Sequence, residues 1–169
     1  VGQSIGGTAA ISFRDLAVDN AAGATLSAPI TVTGSLTLNG PLILNGQTLT
    51  ISAPILGTTS NLVADPAASI VVNGTAAGIV LPADVSSLTD LTLNNPSGMA
   101  LSGPLTMTGT LSLTNGVLDA GSYVLNIGPV GAVARTSGHV AGSLALPVDV
   151  GSSITLTFDI GDATTYAPI

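Results

Sequence analysis

Short runs of alternating apolar and polar residues are the feature that most constrains the fold of this chain. In segment 35–51, three such runs follow one another: SLTLNG, PLILNG and QTLTI. Each run is too short for a helix, and the alternation turns its apolar side chains to one side of a strand. Strands of about five residues, each followed at once by a turn, are typical of a chain wound into a coil. The inward positions predicted in this segment are Leu36, Leu38, Leu42, Leu44, Leu49 and Ile51.

Asn-Gly pairs separate these runs, at Asn39-Gly40 and Asn45-Gly46, and occur again at Asn73 and Asn115. Asn-Gly between alternating runs is also the strongest local signal for a two-residue hairpin, so an antiparallel fold remains the alternative. In a solenoid, we expect these asparagines to adopt the left-handed turn conformation and to stack as amide ladders between coils.

An internal repeat supports the solenoid. Residues 15–34 align with residues 90–109 without a gap, and one inserted residue extends the alignment to residues 51 and 127. A repeat of this length spans several coils, because one coil uses roughly 18 to 25 residues. We expect the two copies to superpose. The predicted inward pairs are Leu36/Leu111 and Leu38/Leu113, and the predicted outward pair is Thr37/Ser112.

The sequence therefore predicts an all-β chain, a parallel β-solenoid (β-helix) with a less regular β C-terminal part. The solenoid is expected over 1–130, with two related copies at about 13–52 and 88–128. The runs become longer after Ile127, so we place a boundary near Gly131. Residues 131–169 then form a C-terminal β cap or the start of a following module.

Composition excludes several classes of function. Charged residues make up 7 % of the chain, Lys and Glu are absent, and the net charge is −7. Nucleic acid and anionic membranes require a basic footprint, so neither is expected as a partner. Aromatic residues at 2 % leave few platforms for stacking sugars or bases. No apolar run approaches the roughly 18 residues that span a bilayer, so no membrane insertion is expected.

The chain has no cysteine, which removes the usual evidence for an oxidising compartment. Its first residues, VGQSIGG, contain neither a basic region nor an apolar stretch. We expect any secretory leader to have been removed or to lie outside this sequence.

Two stretches carry a resemblance to a known group of proteins. TLSLTNGVLDAGSYVLNIG and FDIGDATTYAPI resemble the large secreted, cell-surface repeat proteins of Bacteroidetes-like bacteria, many of which the type IX secretion system exports. The resemblance covers about residues 60–169 and, through the internal repeat, reaches back to about residue 13. It implies an exported, solenoid-like stalk or adhesin region, of which this chain would be a fragment. It implies no catalytic residues.

Few residues are candidates for chemistry. His139 has no second His or Cys as a companion, so we expect a solvent-facing or capped turn histidine rather than a metal ligand or a triad member with Ser137. Asp149, Asp159 and Asp162 could bind calcium, but turn aspartates that accept nearby N–H groups are more common. We therefore predict no catalytic, cofactor or metal site, and no enzymatic activity.

Thr-x-Thr pairs raise a ligand-binding alternative. They occur at Thr31/Thr33, Thr48/Thr50, Thr106/Thr108 and Thr155/Thr157. A flat ladder of hydroxyls and methyls could order water and bind ice, although Thr is also the ordinary outward residue of a charge-poor strand. The first hypothesis is a non-enzymatic, secreted structural protein of the cell surface. The alternative is a carbohydrate- or ice-binding solenoid, with a surface polysaccharide as one partner.

The ends of a solenoid predict self-association. An open end exposes unpaired backbone groups over an apolar core, and this chain shows neither a helical pattern nor lysines that would guard its ends. We expect copies to associate into a filament or oligomer.

Overall fold

The structure, a computed structural model, describes residues 2–148 and 155–169. Short strands separated by tight corners dominate these residues, together with one 3-10 turn at Thr59–Asn61. The strands are β1 (Gln3–Ile5), β2 (Ile11–Phe13), β3 (Leu16–Val18), β4 (Ala24–Leu26), β5 (Ile30–Val32), β6 (Leu36–Leu38), β7 (Leu42–Ile43), β8 (Thr48–Ile51), β9 (Ile55–Gly57), β10 (Leu62–Val63), β11 (Ser69–Asn73), β12 (Val80–Leu81), β13 (Ser87–Leu88), β14 (Asp90–Asn94), β15 (Met99–Leu101), β16 (Leu105–Met107), β17 (Thr110–Asn115), β18 (Val117–Ile127), β19 (Ala132–Arg135), β20 (His139–Ala145) and β21 (Ile160–Gly161).

The strands stack as a parallel β-solenoid of about 8 turns, which confirms the predicted fold. Within the described residues, one sheet of seven strands has the continuous order β19-β17-β14-β11-β8-β5-β2 and is called here the seven-stranded sheet; a second sheet of seven strands is branched at β18. Neighbouring strands in it are paired at residues 19 to 22 positions apart, which is the length of one turn. Every pair of named strands is parallel, and an isolated bridge between Gly161 and Tyr166 is antiparallel. The antiparallel alternative, with hairpins at the Asn-Gly pairs, is therefore wrong.

The other faces of the coil are a four-stranded sheet, a three-stranded sheet and the branched sheet. Strands β1, β4, β7 and β10 form the first, and β3, β6 and β9 form the second. In the later turns, β18 pairs with β15 before a break in register and with β16 after it, so that one strand continues around a corner. Strands β19 and β20 extend two of the sheets in parallel, so the regular stack runs past the boundary expected near Gly131.

The core is a continuous apolar column inside the coil. All six inward positions predicted in segment 35–51 are buried, with exposures of 0 to 2 %. The chain bends at Arg14-Asp15, between β2 and β3, as the alternation in that stretch requires. At the N-terminal end of the coil, Ile11, Phe13 and Leu16 are only half-buried against the core. The stack therefore closes its interior along its length but leaves it partly open at this end.

The two repeat copies use the same inward residues on different faces. Leu36 and Leu38 lie in β6, in the three-stranded sheet, whereas Leu111 and Leu113 lie in β17, in the seven-stranded sheet. All four side chains are fully buried, and Thr37 and Ser112 point outward and are half-buried, as predicted. Since 75 residues are not a whole number of turns of 19 to 22 residues, the second copy starts on a different face.

Truncation of one inward leucine in either copy tests this packing. We expect Leu38→Ala and Leu113→Ala each to lower the free energy of unfolding by about 2 to 5 kcal/mol, since each removes a fully buried side chain and leaves a cavity. Thr37→Ala, on the outward side of the same strand as Leu38, should cost less than about 1 kcal/mol. Urea unfolding followed by circular dichroism measures all three. Equal effects of the two changes in β6 would contradict the inward assignment.

Candidate functional site

His139 is the most buried of the candidate residues. It lies in β20 with 6 % exposure, and its Nε2 donates to the Asp162 carbonyl oxygen at 2.8 Å. The expectation of a solvent-facing or turn histidine is therefore wrong. Residues 160–166 lie one turn further along the chain and cover the ring, a long-range contact that the local sequence TSGHVAG does not reveal.

Arg135 and Tyr166 close the C-terminal end of the seven-stranded sheet. Arg135 pairs with Leu113 and so occupies an inward column that is apolar in the preceding strands. Its Nε donates to the Gly138 carbonyl at 2.7 Å, and its guanidinium lies 3.6 Å from the centroid of the Tyr166 ring. A cation stacked on an aromatic face is a stabilising contact. This end thus carries a charged guard, contrary to the expectation that neither end has one.

The calcium candidates are occupied by contacts within the chain. Asp159 Oδ1 accepts the Tyr166 hydroxyl at 2.7 Å, which raises the pKa of that tyrosine. Asp162 Oδ1 accepts the Thr164 N–H and hydroxyl and the Thr165 N–H, and these bonds lower the pKa of Asp162. Asp149 lies outside the described residues. Within the described ranges, no three His, Asp or Glu side chains group as metal ligands would.

Two other aspartates bind the next turn of the coil. Asp15 Oδ1 accepts the N–H of Ser35 at 2.7 Å and its hydroxyl at 2.6 Å. Asp90 Oδ1 accepts the N–H of Thr110, also at 2.7 Å. Both pairs stand 75 positions apart in the repeat, so the repeat reproduces a side-chain contact between turns as well as the apolar pattern.

Asparagine builds a second repeated corner. The Oδ1 of Asn20 accepts the Ala22 N–H, and the Oδ1 of Asn95 accepts the Ser97 N–H, each at 3.0 Å. A glycine in the left-handed region follows in both copies, Gly23 with φ 77° and Gly98 with φ 73°. Local bonds of this kind stabilise a turn in place of the ladder. No role was predicted for these asparagines, although Asn20 and Asn95 are equivalent in the 75-residue repeat.

Close approach explains a further pair of repeated glycines. A Cβ atom at Gly40 would collide with the Asn20 carbonyl oxygen, and one at Gly116 with the Asn95 carbonyl oxygen. Any larger residue at these positions would separate the corners of adjacent turns.

The expectations for the Asn-Gly pairs are confirmed in part. Asn94 Nδ2 donates to Asn73 Oδ1 at 2.9 Å, which is one rung of the expected amide ladder, and Asn115 is the next residue in register. Asn39 instead donates to Asp19 at 2.6 Å. Among the described residues other than glycine, positive φ occurs at Asn45 alone, so the left-handed expectation is wrong for the other three.

The threonine pairs separate into two kinds. The hydroxyls of Thr33 and Thr108 donate to the carbonyl oxygens of Phe13 and Leu88 at corners, at 3.3 and 3.4 Å. Thr31 and Thr50 lie instead on the outer side of the seven-stranded sheet, directly paired in register.

This pairing continues across the whole sheet and defines what we call the outer column. Its members are Ser12, Thr31, Thr50, Val71, Thr92, Ser112 and Ala134. Its members are 19 to 22 residues apart, so the Thr-x-Thr spacing within single strands does not reveal it.

Two surface clefts among the described residues were compared for side chains that could act in catalysis. One of about 300 Å³ is lined by residues of β12, β15 and β18 and of the corners before them, with Asp119 among its lining residues. Another of about 310 Å³ lies between Gly131–Val133 and Leu156, with Asp159 among its lining residues. Neither lining includes a histidine, lysine or arginine, so neither cleft sets a basic side chain beside its carboxylate.

No protein-family model matches the chain, and no curated protein or solved structure is significantly similar to it. In the described ranges, no helix is long and apolar enough to span a membrane.

The contacts of Asp15 predict a pH dependence. Hydrogen bonds from the Ser35 hydroxyl and backbone N–H hold the pKa of Asp15 below its ordinary value of 3.8. Because the folded-state pKa is depressed, the stabilisation is present above the ordinary pKa and is lost as the pH falls through the folded value. We expect NMR titration to show Asp15 ionising below its ordinary pKa and Ser35→Ala to move that pKa upward. An unchanged pKa in the variant would contradict the contact.

Proposed function

We propose that this chain is a non-enzymatic structural element, a stalk or adhesin region exposed outside the cell. The observation that supports it most is how the polar side chains are used. Asp15 and Asp90 bind the next turn, and Asp65 Oδ2 accepts the Gly46 N–H at 2.7 Å. Carboxylates that in an enzyme would converge on a cleft here connect neighbouring turns.

The construction of the stack fits a load-bearing or spacing role. Its backbone bonds run from turn to turn along one axis, and its core is continuous from the first turns to β20. Such a stack behaves as a rod whose length grows with the number of turns. The resemblance to secreted surface repeat proteins supports an extracellular location for this rod, and an export signal in the complete gene would test that location.

The proposal predicts no turnover of hydrolase, lyase or transferase substrates. The described clefts bring no nucleophile, base and anion-stabilising group together, so an acyl or glycosyl substrate would find no assembled site. Screening the purified chain against polysaccharides and esters checks this. Turnover that Asp159→Ala or His139→Ala abolished would overturn the proposal, whereas turnover unchanged in both variants would point to a contaminant.

Self-association forms the second part of the proposal, and the two ends differ in what they offer. In the described residues, β1, β2 and β3 each pair with another strand on one side only. Ile11 and Phe13, the first and last residues of β2, are half-buried. The opposite end presents Arg135 in the inward column with Tyr166 stacked on it. An apolar, unpaired end is the better template, so we place the first contact between copies at β1 to β3.

A charged substitution at this end tests the contact. We expect sedimentation velocity to show a concentration-dependent oligomer for the unaltered chain and a monomer for Phe13→Asp, since the carboxylate would have to be buried in the contact. Val130→Asp, at a position 86 % exposed elsewhere on the surface, serves as the matched control and should still associate. A strictly monomeric unaltered chain at high concentration would contradict the proposed self-association.

A further inference from the structure

The outer column places five outward hydroxyl side chains in register across the seven-stranded sheet. In the described part of the chain, the hydroxyls of Ser12, Thr31, Thr50, Thr92 and Ser112 donate to no protein atom. Hydroxyls at the corners behave differently: those of Thr33, Ser102, Thr108 and Ser137 all donate to backbone carbonyls of the preceding turn. The column therefore presents a row of hydroxyls that the fold leaves available to something outside the chain.

Backbone register fixes the geometry of the column. Its members occupy consecutive strands with no bulge at these positions, so they repeat about every 4.8 Å along the stack. Threonine and valine are stiff at χ1, which holds each hydroxyl and methyl in one orientation. A rigid array of this kind binds without the entropy cost of ordering its own side chains.

The neighbouring column extends the array to a second row. Thr48, Ser69 and Asp90 are in register two residues before the outer column, and Thr110 follows on the next strand. Asp90 is the charged member of this row, and its carboxylate accepts the Thr110 N–H and the Ser69 hydroxyl. The surface is thus two rows of hydroxyls and methyls with one carboxylate that is already hydrogen-bonded within the fold.

The chemistry of these rows selects among possible ligands. No aromatic side chain occupies an outward position of the seven-stranded sheet, so sugar rings would find no stacking platform. No cation is present in either row to bind an acidic polymer. Repeated methyls with free hydroxyls between them suit a regular lattice of water, where each hydroxyl anchors one water and the methyls hold its neighbours in place.

We propose that the outer column, with the row beside it, binds the surface of ice. Water ordered over the column at the spacing of the strands joins the lattice of an ice crystal and keeps the protein adsorbed there. The proposal requires the fold alone and stands or falls separately from the structural role given above. Val71 is the position in the middle of the column where a hydroxyl is missing.

Ice partitioning tests the proposal on the purified, folded chain. A slowly growing ice hemisphere should take up the unaltered protein, and nanolitre osmometry should detect a freezing-point gap. Thr50→Tyr places a bulky ring at the centre of the column and should abolish both. Thr37→Tyr, an outward threonine of the three-stranded sheet, is the matched control and should retain both. Val71→Thr fills the gap between the hydroxyls of Thr50 and Thr92 and should increase the freezing-point gap.

Exclusion of the unaltered protein from ice would overturn the proposal, as would equal loss of ice uptake in the Thr50 and Thr37 variants. Retention on insoluble polysaccharide without uptake into ice would assign the face to a carbohydrate instead. Circular dichroism melting curves of each variant establish that a loss comes from the surface and not from unfolding.

Discussion

Backbone hydrogen bonding between successive turns is the constraint on which the rest of this structure depends. A strand of three residues cannot satisfy its own N–H and C=O groups, so each must pair with the turn before and the turn after it. That requirement keeps every turn near 20 residues, and it stacks inward leucines such as Leu36 and Leu111 into one core. It also aligns the outward residues into columns, whether or not those residues interact with one another.

The corners decide whether this pairing can continue. Adjacent turns approach closely at glycines such as Gly40 and Gly116, which leave room for the carbonyls of Asn20 and Asn95. Asp15 tightens another corner by binding the backbone of the next turn. Several of the few ionisable side chains, such as Asp15 and Asp90, therefore form structural contacts between turns. The hydroxyls of the outer column are left without a partner in the described part of the fold.

The sequence predicted the parallel coil and its inward leucines because alternation and the 75-residue repeat are local, periodic signals. It did not predict the burial of His139, since the residues that cover it arrive one turn later. The inward position of Arg135 was not predicted for a related reason. The segment AVAR has the pattern of an ordinary strand, and only its register with Leu113 shows that Arg135 lies in an inward column. The outer column was likewise hidden, because turns of unequal length prevent its members from recurring at one fixed interval.

Distances along the seven-stranded sheet test the central claim, that its strands stack in register as one parallel coil. The chain has no cysteine, so spin labels can be attached to pairs of cysteines introduced on the outer column. Labels at Thr31 and Ser112, four strands apart, and at Ser12 and Ala134, six strands apart, should give mean separations of about 19 and 29 Å by pulsed electron paramagnetic resonance. Separations that do not increase with the number of intervening strands, as in a set of hairpins, would contradict the account.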